Sequence, residues 1–86
     1  MRIRLNHDGR VFEGTPIQII EDMKSIAFGQ EGRSVEEYID WVVGQIERFQ
    51  KISVNVTGQD LESKATSFVE EMITHGLARI LISETR

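Results

Sequence analysis

Eleven residues near the start of the chain, Asp8-Gly9-Arg10-Val11-Phe12-Glu13-Gly14-Thr15-Pro16-Ile17-Gln18, hold a turn, a strand and a helix start in immediate succession. Asp8-Gly9 supplies the two positive-φ positions of a type I′ turn, whose twist matches that of paired strands. A two-residue turn there sets Leu5 opposite Phe12, with Ile3 on the same face. Arg2, Arg4 and Asn6 then fall on the other face, because a strand alternates sides at every residue. Thr15 offers a hydroxyl N-cap, Pro16 suits the first helical position, and Gln18 closes a capping box. The spacing therefore predicts a hairpin over residues 2–7 and 10–14 that feeds directly into a helix from Pro16 to Ala27.

The apolar positions Ile19, Ile20, Met23, Ile26 and Ala27 keep the three-and-four spacing of one helical face, and Gly29-Gln30-Glu31-Gly32 ends the run. Ser34 with Glu37 forms a second capping box. It opens a helix to about residue 49, with a stripe of Val35, Ile39, Val42, Val43, Ile46 and Phe49. Gly44 inside that helix costs about 1 kcal/mol relative to alanine, a cost that close helix packing would explain. Ile52-Ser53-Val54-Asn55-Val56 alternates and is β-branched at its apolar sites, the pattern of a half-buried strand. Thr57-Gly58 then turns the chain into a third helix that buries Leu61, Ala65, Phe68, Val69, Met72 and Ile73. That helix ends near His75 with Gly76 as a left-handed terminator, and Ala78 to Ile82 reads as the last strand.

The order is thus ββααβαβ. It predicts an α+β fold, a single domain over residues 1–86, with a four-stranded mixed sheet and three helices mainly on one face. Within it, residues 52–82 make a strand–helix–strand unit, whose crossover is right-handed if its two strands lie parallel in one sheet. A largely helical domain with two β-ribbons that do not join is the alternative. At 86 residues the chain is too short for two independent cores.

Cysteine is absent, which excludes disulfides, thiolate chemistry and zinc sites of the Cys type. The alternating residues after Met1 do not read as a signal peptide, and no apolar run approaches a membrane span. The expectation is a cytoplasmic protein with no membrane partner.

Catalytic signals are missing. His7 and His75 have no ligand spacing, and the carboxylates Glu21, Asp22, Glu36, Glu37, Asp40, Glu70 and Glu71 fall mainly on polar helix faces. Ser25, Ser63 and Ser67 lack a nucleophile-elbow context, and Gly29-Gln30-Glu31-Gly32 has no lysine after its second glycine, so it is not a phosphate loop. No catalytic residue, metal ligand or cofactor is predicted.

Two groups of residues stand apart. Tyr38 and Trp41 are three apart on the second helix, with Trp41 well off the main apolar stripe. They read either as packing at the margin of the core or as an aromatic anchor for a partner or a second subunit. Arg2, Arg4 and Arg79 alternate out from the first and last strands, and would gather on one sheet face if those strands are adjacent. Such a face either keeps the sheet soluble or meets an acidic partner or nucleic acid.

A small regulatory or protein-interaction module without catalytic activity, binding a protein partner or itself, is the leading expectation. A nucleic-acid-binding regulator using the arginine face is the second. Against it stand a pI near 5.1 and two helical segments, Val35 to Phe49 and Gln59 to His75, each of net charge −3. A small-molecule enzyme with its site between subunits is the third.

Overall fold

In a computed structural model, which describes residues 1–81, the chain opens with two antiparallel strands, β1 (Arg2–Leu5) and β2 (Val11–Glu13). The hairpin forms, but with a longer loop than a type I′ turn. The Leu5 amide donates to the Arg10 carbonyl at 2.8 Å and the Gly9 amide to the Leu5 carbonyl at 2.9 Å, so residues 6–9 make the loop and Gly9 takes the left-handed conformation (φ +76°). The Asp8 side chain explains the change, since its Oδ1 accepts the Arg10 amide at 2.9 Å that a two-residue turn would have given to the His7 carbonyl. Phe12 therefore pairs with Ile3, not with Leu5. The register has slipped by two residues, which leaves every side chain on its expected face. Ile3, Leu5 and Phe12 are all buried.

Helix α1 (Pro16–Ile26) starts at the expected capping box, with the Thr15 hydroxyl accepting from the Gln18 amide and the Gln18 side chain accepting from the Thr15 amide. Helix α2 (Val35–Gln50) starts the same way at Ser34 and Glu37. Its sixteen residues span roughly 24 Å, against roughly 16 Å for the eleven of α1. The last turn of α2 overhangs the core, and Phe49, on the predicted buried stripe, is 72% exposed. Gly44 is exposed with nothing within 4 Å of where a Cβ would stand, so close packing does not account for it.

The predicted strand at Ile52–Val56 is the main correction. The segment alternates as expected, with Val54 buried and Ile52 and Val56 half-buried, yet it joins no sheet. Its partner is a helix. The Asn55 amide donates to Glu71 Oε1 at 2.8 Å and the Thr57 amide to Ser67 Oγ at 2.9 Å, both on α3 (Leu61–Thr74). The match is geometric: two extended residues advance ~6.6 Å and four helical residues ~6.0 Å, so side chains one turn apart meet alternate amides.

Helix α3 closes in a Schellman arrangement, with the Leu77 amide on the Met72 carbonyl, the Gly76 amide on the Ile73 carbonyl, and Gly76 at φ +75°. β3 (Ala78–Ile80) follows and pairs antiparallel with β1. The part of the predicted last strand at Ile82 lies outside the described residues. The fold is α+β with three helices and a three-stranded antiparallel sheet in the order β2-β1-β3, not a four-stranded mixed sheet. The parallel pairing of a strand–helix–strand unit is not made.

Helix α1 packs on β2 and α3 on β3, and α2 lies across both helices. Ile3, Ile19, Ile20, Ala65, Phe68 and Val69, all without solvent exposure, form the centre of one core. No described element covers the other side of the sheet, where Arg2, Arg4, Val11, Glu13 and Arg79 are exposed. Among the described residues no helix is long and apolar enough to cross a membrane.

Candidate association surface at the helix ends

The hairpin loop meets the C-terminal ends of the three helices, and His7 sits at the junction. An open pocket of about 300 Å³ lies between the hairpin and the end of α1, with Leu5, Phe12, Met23 and Ile26 on its apolar side and His7, Asp8 and Arg10 on its polar side. A second of about 90 Å³ lies deeper, between Leu5, Met23, Val42, Ile46, Met72 and Leu77. His7 borders both, and a third opening of about 220 Å³ beside Gln50 and Gly76 as well. The Asn6 side-chain amide donates to the Gly76 carbonyl at 2.6 Å, which ties the loop to the end of α3.

Large apolar side chains stand exposed around this end. Ile26 is 51% exposed on the last turn of α1, Phe28 is 99% exposed just beyond it, and Phe49 is 72% exposed on the last turn of α2. Each is, or adjoins in sequence, a residue lining one of the cavities. Sequence reasoning missed this cluster. Phe28 falls between the end of a helical pattern and Gly29, so it belongs to no periodic face, and that mismatch was the available signal. Phe49 fits the α2 stripe, yet it stands exposed on the last turn. The loop tip carries both charges, with Asp8 Oδ2 3.4 Å from Arg10 Nε and 3.5 Å from His7 Nε2.

Tyr38 is 4% exposed and Trp41 half-buried against the core, their ring centroids 6.0 Å apart. Burial raises the Tyr38 pKa above its ordinary value. An anchor at this pair would consist of the accessible part of Trp41. Arg2, Arg4 and Arg79 do share the outer sheet face, since β1 and β3 are neighbours and Arg4 stands opposite Arg79.

A groove of about 530 Å³ near the starts of α1 and α3 brings the two chain corners Thr15-Pro16 and Thr57-Gly58 together, and it is rich in hydroxyls. Those hydroxyls serve the fold: Thr15 caps α1, Ser67 accepts the Thr57 amide, and Thr66 donates to the Glu62 carbonyl. Asp60 caps α3, and the Ser63 amide donating to its carboxylate holds its pKa below the usual range. Lys64 is raised by its hydrogen bond to Glu36, which joins α3 to α2. Among the described residues no group of three His, Cys, Asp or Glu is placed to hold a metal ion. In the loop after α1, Gln30 is 7% exposed, and its side-chain carbonyl has no hydrogen-bond partner among the described residues.

Compared with known protein families, characterised proteins and solved structures, the chain shows no match.

Proposed function

We propose that this chain is a small protein-interaction module without catalytic chemistry of its own, and that it associates with a second copy of itself through the helix-end surface. The observation that carries the reading is the exposure of Ile26, Phe28 and Phe49 at or beside the last turns of α1 and α2, next to two cavities that share Leu5, His7 and Met23 in their linings. Several large apolar side chains exposed at one end of a small domain suit an association site. Burying one exposed phenylalanine is worth about 1.5–3 kcal/mol, and a domain of this size has a limited core to begin with.

A second copy suits the surface because the loop tip is self-complementary. Asp8 and Arg10 pair within one chain, and a two-fold axis passing between them would also set Asp8 of each protomer toward Arg10 of the partner subunit. Tyr38 and Trp41 enter this reading only through the accessible part of Trp41. Replacing Phe28 and Phe49 together by serine should abolish self-association while leaving the helical circular dichroism unchanged. Association that survives the double substitution contradicts the assignment.

A further inference from the structure

The outer face of the sheet presents a second surface, polar where the first is apolar. Arg4 on β1 stands opposite Arg79 on β3, and Arg2 lies two residues along β1 on the same side. The Asn6 amide donates to the Leu77 carbonyl and the Leu81 amide to the Arg2 carbonyl, so Arg4 and Arg79 form a hydrogen-bonded pair in the ladder. Their Cα atoms are then ~5.5 Å apart. Like charges set directly opposite in a sheet oppose folding. Among the described residues no carboxylate lies within ion-pairing distance of Arg2, Arg4 or Arg79, although the chain carries 14 acidic side chains and a net charge of −4. Among the described strand residues Glu13, opposite Arg2, is the one carboxylate on this face.

We propose that this face binds an acidic polypeptide segment. Arg4 and Arg79 form the focus, each offering a guanidinium suited to bidentate contact with a carboxylate, with the Arg4 guanidinium reaching toward the hairpin loop beside Gly9. Arg2 is a flank, tempered by Glu13 opposite it on β2. An extended segment laid along β1 repeats its side chains at ~6.6 Å, the same interval that separates Arg2 from Arg4. Acidic residues at alternate positions therefore meet both sites in turn. Val11, 45% exposed and opposite Arg4 on the β2 side, gives an apolar neighbour to the charge.

A nucleic acid fits this face less well. The basic focus is short where a polyanion needs a tract of cations, and the rest of the chain is acidic. The described residues of the face include no aromatic side chain for base stacking.

The probe is a fluorescently labelled peptide of alternating glutamate and valine, titrated with the full chain at low ionic strength. A lysine–valine peptide and a labelled oligothymidylate serve as the other arms. The glutamate peptide should bind, release on added salt, and bind about tenfold more weakly to Arg4→Gln and to Arg79→Gln, as expected for loss of a charge-assisted contact. Backbone amide shifts on the unmodified protein should cluster at residues 2, 4, 11 and 79, a readout that does not depend on any variant folding. The assignment fails if the glutamate peptide does not bind, or if binding ignores both substitutions. It fails equally if the shifts map to the helices, or if oligothymidylate binds more tightly than the glutamate peptide.

Discussion

Phe12 on β2 stands directly opposite Ile3 on β1, and both side chains turn into the core, Ile3 with no solvent exposure and Phe12 with 8%. The pair locks the hairpin to the first layer of helices, since α1 packs on β2. Phe12→Ala removes the larger partner and leaves a cavity, so unfolding free energy should fall by about 3–5 kcal/mol. Urea denaturation measures this, and an unchanged midpoint would show that the hairpin is not seated on the core.

The extended segment after α2 should show its unusual partners in hydrogen exchange. The Asn55 and Thr57 amides donate to Glu71 and Ser67, whereas no acceptor is found among the described residues for the Val54 and Val56 amides. Asn55 and Thr57 are expected to exchange more slowly than both neighbours, and Glu71→Ala should release Asn55 far more than Thr57. Uniform protection from 52 to 57 would mean that the segment is a sheet strand after all.

That segment also shows where sequence reading stops. Alternation at Ile52, Val54 and Val56 reports one-sided burial of extended chain, and the burial is there. It carries no information on what the backbone bonds to, and a helix face with Ser67 and Glu71 one turn apart serves as well as a strand. The helix starts at Thr15 and Ser34 were legible because a capping box is a local event of four residues. The hairpin faces were legible for the same reason, and the register was not, because one Asp8 hydrogen bond decided the loop length. The helix-end surface left one local trace, Phe28 outside any periodic face, and the rest of it depends on how the helix ends pack, not on any single segment.

Gln30 is a polar side chain held inside the loop between α1 and α2, its carbonyl oxygen unpaired among the described residues. A buried acceptor without a partner costs about 1–3 kcal/mol. Gln30→Met keeps the length and removes that acceptor, so the variant should be more stable than the natural chain by about 1 kcal/mol. A lower denaturation midpoint would mean that the amide makes a contact the fold requires.

Acid should weaken α3 through its cap. The Ser63 amide donating to Asp60 lowers the folded pKa beneath the ordinary 3.8. A group depressed on folding adds stability above its unfolded pKa and loses it as pH falls through the folded value. This contribution is therefore present at neutral pH and disappears below about pH 4. Asparagine caps without titrating, so Asp60→Asn should lose less Tm than the natural chain between about pH 5 and pH 2. Superimposable acid profiles would remove Asp60 from the account.

Sedimentation equilibrium over a range of concentrations tests most directly whether Ile26, Phe28 and Phe49 form an association surface. The chain has a mass of 9.9 kDa. The weight-average mass should climb toward that of two chains as concentration rises, and should stay at one chain for the Phe28→Ser, Phe49→Ser variant. A natural chain that remains at 9.9 kDa throughout, or a double variant that dimerises equally well, would contradict it.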